Sequence, residues 1–220
     1  MTPLLQAVPI AAPVAGWAAH ALFLARRLRT ARTDPLTGLM SRAAFTSRAN
    51  RAVKHPHAAV LLLDLDGFKD INDTYGHFAG DQVLAAVGHR LDVWCADRHG
   101  FAGRLGGDEF AAVIRLAPDT DPQIELTYGL WPKLSDAIDT GTVTIHPSGS
   151  IGICRRSHRP GARLPELLRG ADEAMYRAKR LGHRWQPAMS CDVYATVNGR
   201  RIGRPGTGVR RRPARGGHDR

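Results

Sequence analysis

Four acids in this sequence stand where chemistry is possible. Asp64 and Asp66 close the apolar run Ala58-Ala59-Val60-Leu61-Leu62-Leu63, and Asp108 and Glu109 follow the pair Gly106-Gly107. Carboxylates gathered at strand ends without neutralising partners repel one another unless a cation sits between them. One or two carboxylates, completed by phosphate oxygens, are how proteins hold Mg2+. The same residue types also make solvated turns, because Asp and Gly are common turn formers. Neither cluster alone decides between these readings.

The neighbouring polar residues favour the first. In Asp64-Leu65-Asp66-Gly67-Phe68-Lys69-Asp70-Ile71-Asn72-Asp73, followed by Gly76-His77 and Gly80-Asp81, acid, base and amide recur at close spacing. Lys69 follows a glycine-containing turn whose backbone N–H groups can bind a polyphosphate, a nest with a cation beside it. Asn72 and Asp81 suit guanine. A carboxylate accepts from the ring N–H and the exocyclic amine together, while an amide both donates and accepts. The competing reading of Asp81 is a first-turn acid that complements a helix dipole.

The elements that must position these groups follow from periodicity. Ala58–Leu63 reads as a buried strand that delivers carboxylates at its C-terminal end. From Gly80 to Cys95, Val83, Leu84, Val87, Leu91 and Trp94 share one helical face. Residues 101–105 and 108–114 are strand-like runs around Gly106-Gly107, a tight hairpin. Residues 142–145 and 150–154 suggest another strand pair, and 115–141 a loop with one helix. A helix is expected over 164–180, with Pro165 near its start and Gly182 past its end. This order implies an α/β (α+β) sandwich, a central mixed sheet flanked by helices.

Bulk properties bound the rest. The chain has 220 residues, 43% of them hydrophobic, which is material for one core with terminal extensions. Cys95, Cys154 and Cys191 are odd in number and form no CxxC pair, so neither a disulfide framework nor a zinc site is indicated. The net charge of +11 is concentrated: from Gly199 to Arg220 eight arginines face one aspartate, a net +7. That composition is expected to be disordered. At the other end, residues 3–25 carry no charge and Arg26-Arg27 follow at once. Such a length crosses a bilayer, and the arginines would hold its C-terminal side in the cytoplasm. Pro3, Pro9, Pro13, Gln6 and His20 weaken that drive, and a soluble docking or dimerisation helix is the alternative.

With these motifs in order, the chain resembles the GGDEF domain family, the diguanylate cyclases. Asp34-Pro35-Leu36-Thr37-Gly38-Leu39 resembles the family's opening motif, and Asp64 to Asp81 its central acidic block. Arg104 to Phe110 contains Gly-Gly-Asp-Glu-Phe intact, and Ala171 to Lys179 resembles the closing helix. The resemblance covers about two thirds of the chain, Asp34 to Trp185. It implies a nucleotidyl-cyclase-like fold over 33–186; the residues outside it read as an N-terminal apolar helix and membrane anchor in 1–32 and a basic tail in 187–220. It also implies condensation of two GTP into cyclic di-GMP across a homodimer, dependent on Mg2+ or alternatively Mn2+. Asp64, the Leu65 carbonyl, Asp108 and Glu109 would hold metal. Asp108 would accept the ribose proton, with Glu109 assisting and Lys69 stabilising phosphate charge. Substrate contacts would fall to Phe68, Asn72, Asp81, Gly106, Gly107 and Lys179. The N-terminal segment would attach a cytoplasmic catalytic domain to the cell membrane, and without that anchor the location is the bacterial cytoplasm.

Three positions depart from the family pattern. Ser41 stands where asparagine is usual. His183 takes the place of a phosphate-contacting arginine, with Arg184 as substitute. The inhibitory Arg-x-x-Asp upstream of the hairpin is replaced by Asp97-Arg98-His99-Gly100. Two rivals stand beside the enzymatic reading. One is a non-catalytic GTP-binding module. The other is a nucleic-acid or anionic-membrane binder acting through the Arg-rich tail, although that tail interleaves no aromatic residues for base stacking.

Overall fold

The structure, a computed structural model, describes residues 17, 20, 32–189, 196–197 and 200–201. The chain divides into two units, Met1–Ser190 and Cys191–Arg220. In the first, strands β1 (Met40–Ser41), β2 (Ala58–Leu65), β3 (Phe101–Gly106), β4 (Glu109–Arg115), β7 (Gly149–Arg155) and β8 (Trp185–Pro187) form one sheet in the order β1-β3-β4-β2-β7-β8. The outer pairs β1–β3 and β7–β8 are parallel and the inner ones antiparallel. The mixed sheet matches the expected class.

Alternation along β2 divides the core. Ala59, Leu61, Leu63 and Leu65 enter one cluster, where Val83, Leu84, Val87, Leu91 and Trp94 of the long helix His77–Ala96 cover the sheet. Val60 and Leu62 enter the other, beneath α1 (Arg42–Ala52) and the closing helix Leu164–Leu181. With the short helix α2 (Phe68–Tyr75), the long helix is α3 and the closing helix α4. Asp64, two residues beyond Leu62, therefore continues the face that α4 covers.

Gly152 explains how closely α4 can lie. A Cβ there would overlap the carbonyl oxygen of Ala171 and the amide nitrogen of Met175. Backbone rests on backbone at this point, and Lys179, one turn past Met175, arrives over the end of β2.

Several expectations are corrected. Residues 142–145 and 150–154 do not pair with each other: β6 (Thr144–Ile145) forms a small hairpin with β5 (Ile138–Asp139), while β7 joins β2. The helix expected from Gly80 begins at His77, and a separate helix, α2, precedes it. Within 115–141 the helical part runs through Pro122–Ile124, a π-helical stretch Glu125–Leu130 and Trp131–Ser135. β8 carries regular structure to Pro187, one residue past the expected domain end at 186.

The apolar segment 3–25 lies outside the described residues except for Trp17 and His20. Among the described residues, no helix is long and apolar enough to cross a membrane. Most of the basic tail also lies outside them. In the second unit β9 (Thr196–Val197) pairs antiparallel with β10 (Arg200–Arg201).

Candidate active site

The acids come together at the C-terminal end of β2. Asp64 lies directly opposite Glu109 on β4 and Ser150 on β7. The N–H of Leu65 donates to the carbonyl of Asp108 at 3.3 Å, tying the hairpin tip to the strand end. Lys179 of α4 reaches over the sheet to pair with Asp64, and lies 3.7 Å from Asp66. Asp66 is also held from below: it accepts from the Ser150 hydroxyl at 3.1 Å, and its N–H donates to the Ser148 carbonyl at 2.9 Å. Of the first acid pair, Asp64 is thus the one facing Asp108, and Asp66 is a structural partner of β7.

Electrostatics show what this cluster needs. Burial pushes the Asp108 carboxyl up, and the charge of Asp64 adds to the shift. Burial works against the charged form of Lys179, but its bond to Asp64 and the charges of Asp64, Asp66 and Asp108 outweigh it and raise the ammonium. Positive charge at this position is therefore stabilised, which is what a divalent cation supplies more strongly. Among the described residues no three His, Cys, Asp or Glu side chains form a self-sufficient metal cage. Two carboxylates and a backbone carbonyl suit Mg2+, which takes its remaining ligands from phosphate and water. The residues present fit that ion.

The hairpin tip is shaped from a distance. Gly106 and Gly107 have φ of 139° and 55°, backbone that side chains disfavour, and the register shifts between Arg104 and Gly106. Arg104 donates twice to the carbonyl of Gly107, at 2.9 and 2.8 Å, and pairs with Asp34 at 3.1 Å. Asp34 in turn accepts from the amide and hydroxyl of Thr37, at 2.9 and 2.8 Å. The turn Asp34–Leu39 is therefore a clamp on the Gly-Gly tip. Glu109 meets Arg42 at 3.9 Å.

Burial would raise the Asp34 carboxyl, but the Thr37 bonds and Arg104 outweigh it and lower it. The stability that Asp34 contributes is present above the ordinary carboxylate pKa and is lost as pH falls through its lowered value. Replacing Arg104 by Ala should cost roughly 1–3 kcal/mol by leaving half-buried Asp34 and the Gly107 carbonyl without their donor. Asp34→Asn should flatten the acid limb of thermal stability. Denaturation curves from pH 3 to 7 measure both.

On the base-reading side, Asn72 of α2 and Gly80 of α3 touch. A Cβ on Gly80 would overlap the Asn72 side-chain oxygen and press on the Phe68 ring. Asp81 follows at once, exposed. Because α3 begins at His77 and has no acid in its first turn, the helix-dipole reading of Asp81 loses its ground. Gly80→Ala should displace the Asn72 amide while leaving the fold intact, since the obstacle is the end of a side chain and alanine favours a helix by about 1 kcal/mol. The expected result is weaker guanine-nucleotide binding, roughly tenfold, with an unchanged or raised melting temperature.

Two expected residues are not brought to the acids. Lys69 sits exposed on α2 and pairs with Asp73 one turn on, the ordinary outcome for opposite charges at i and i+4. The Arg184 guanidinium lies 5.3 Å from the centroid of the Trp131 ring, and His183 meets Gln186 at 2.6 Å. Asp34, Arg104, Ser150 and Gly152 are the positioning residues that sequence reasoning did not assign. The juxtaposition of Arg104 with the Gly-Gly pair was the available signal.

Comparison with known proteins agrees with this fold. The family model "Diguanylate cyclase, GGDEF domain" matches residues 31–184. A 19.3 kDa protein in the repSA 5′ region of Streptomyces ambofaciens is 49% identical over 168 residues, 76% of this chain and 88% of that one. Diguanylate cyclase DgcN of Escherichia coli K12 is 52% identical over 165 residues, 70% of this chain but 38% of DgcN. Among solved structures, the coiled coil and GGDEF domain of DgcB from Caulobacter crescentus, in complex with c-di-GMP, matches with a TM-score of 0.71. Identity there is 28%, covering 83% of this chain and 98% of that one.

Proposed function

The chain belongs to the GGDEF family of diguanylate cyclases, and from that premise we propose that it condenses two GTP into cyclic di-GMP and two pyrophosphates across a homodimer. The observation that supports this most is the meeting of Asp64, at a strand end, and Asp108, at the hairpin tip, beside the Lys179 ammonium. Mg2+ or Mn2+, held by Asp64, Asp108 and the Leu65 carbonyl with Glu109 alongside, would supply the Lewis acidity that lowers the hydroxyl pKa and neutralises charge at phosphorus.

Asp108 takes the proton of the ribose 3′-hydroxyl, a role suited to a carboxylate whose basicity is raised. The 3′-oxygen then bonds to the α-phosphorus of the facing nucleotide as pyrophosphate leaves, and the reciprocal attack closes the ring. Asn72 and Asp81 orient guanine, with Phe68 beneath the pocket. Gly106 and Gly107 admit the nucleotide close to the backbone. Lys179 transfers its contact from Asp64 to phosphate as substrate binds. Lys69 reaches phosphate only by leaving Asp73, and Arg184 only by leaving Trp131.

Each copy carries half of the chemistry, so catalysis is largely a matter of bringing two loaded copies face to face. The apolar segment 3–25 would contact the membrane and raise the effective concentration of the second copy. The test is specific activity against chain concentration. A rise toward a plateau supports the dimer, whereas activity per chain that is independent of concentration, in a chain shown to be monomeric, contradicts it.

Feedback through the upstream inhibitory site is expected to be absent. Besides lacking Arg-x-x-Asp, that window has its arginine engaged: Arg98 pairs with Glu125 at 2.6 Å and lies 4.3 Å over the Trp94 ring. Initial rates should be the same with and without added cyclic di-GMP at low micromolar concentration, and inhibition there would refute this reading.

A further inference from the structure

The far end of the sheet carries a concavity with cationic residues in its wall. It measures about 610 Å³ and is lined by Asn50, Arg51 and Lys54 from the end of α1, by Arg156 and Gly161, and by Arg163 at the start of α4. Four cationic side chains converge there and no carboxylate lines the wall. Among the described residues, Arg51, Lys54 and Arg163 have no ion-pair partner, although ion pairs occur elsewhere on the same surface. Like charges crowded around one hollow repel, and the arrangement is relieved by a bound anion. Arg156 donates to the Ala162 carbonyl, which fixes the 156–162 segment and leaves the rest of its guanidinium facing the hollow. Glu166, in the first turn of α4, accepts from the N–H of Arg163 at 2.6 Å.

This place is distinct from the candidate active site. Arg156 follows Arg155, which pairs with Ala59, whereas the catalytic end is marked by Ser150 opposite Asp64. The five residue steps from Ser150 to Arg155 span about 17 Å. The hollow is concave and has the volume of a small-molecule cleft, which suits a compact ligand over a flat lipid surface. Guanidinium groups bind phosphate in a forked, two-bond geometry. Val53, Leu164 and Pro165 add apolar wall for the body of such a ligand.

We propose that this hollow is a second anion site, which takes a nucleotide-sized molecule carrying two or more phosphate groups. The proposal does not depend on the reaction at Asp108.

The test uses the full chain, without divalent metal, in isothermal titration with tripolyphosphate at 0.15 M KCl. Lys54→Ser with Arg163→Ser removes two cations without expected harm, since Lys54 is exposed and serine is a preferred residue at the helix start that Arg163 occupies. The expected result is one site per chain, weakened at least ~10-fold in the double variant and unchanged in Asp108→Asn. Equal affinity in wild type and double variant, which the Arg-rich tail would produce, overturns the proposal. So does loss of binding in Asp108→Asn. Anionic vesicles bound through Lys54 and Arg163, with no uptake of tripolyphosphate, would assign the hollow to a membrane and also overturn it.

Discussion

Asp108→Asn is expected to lower cyclic di-GMP formation by about 10³-fold or more while leaving the protein at least as stable as the parent. The two effects have one origin. Burial and the charge of Asp64 raise the Asp108 carboxyl, so keeping it ionised costs the folded chain stability relative to the unfolded one. A neutral amide removes that penalty, and with it the proton acceptor and a metal ligand. The melting temperature should therefore stay level or rise as turnover disappears, the exchange of stability for activity seen at strained sites. Asp64→Asn should also abolish turnover. It leaves Lys179 its second contact, Asp66, so a large fall in stability is not expected. Parallel loss of folding and activity in both variants would indicate that these acids are structural.

Gly152→Ala should produce the largest loss of stability of any single methyl addition considered for this chain. The new Cβ would meet the backbone of α4 at Ala171 and Met175, which cannot move aside as a side chain can. Separating helix from sheet by even a fraction of an ångström disturbs a close-packed interior. The expected cost is about 3 kcal/mol, which for a domain of this size lowers the melting temperature by roughly 6–12 °C. Activity should fall further than stability alone dictates, because the same displacement carries Lys179 away from Asp64. Gly80→Ala is the contrast: there the obstacle is an amide at the end of a side chain, and nucleotide binding suffers while the fold does not. Thermal unfolding of both variants side by side measures the difference, and equal melting temperatures would contradict the packing argument.

What was legible in the sequence was local. The apolar run of β2 with acids at its end, the glycine pair between two alternating strands, and the amphipathic closing helix each declare themselves within about ten residues. Their structural counterparts agree: β2 ends at Leu65, the hairpin turns at Gly106-Gly107, and α4 stops at Gly182 with φ of 66°.

What was not legible depended on distant partners or on competition. β7 joins β2 some 85 residues away instead of the adjacent Thr144–Ile145, because the central strand offers a long buried edge. The Arg104–Asp34 clamp spans 70 residues. α2 buries no residue fully, and no helix was expected there. Lys69 and Arg184 were assigned by position in a motif, but a side chain goes to whichever partner is nearest. Asp73 and Trp131 are the partners they meet.

The most direct test of the account is the product itself. The full chain, incubated with GTP and Mg2+ at high protein concentration and resolved by nucleotide chromatography, should yield cyclic di-GMP with two pyrophosphates per molecule, and none from Asp108→Asn. GTP bound stoichiometrically yet recovered intact under those conditions would contradict the account and mark the chain as a GTP-binding module without catalysis.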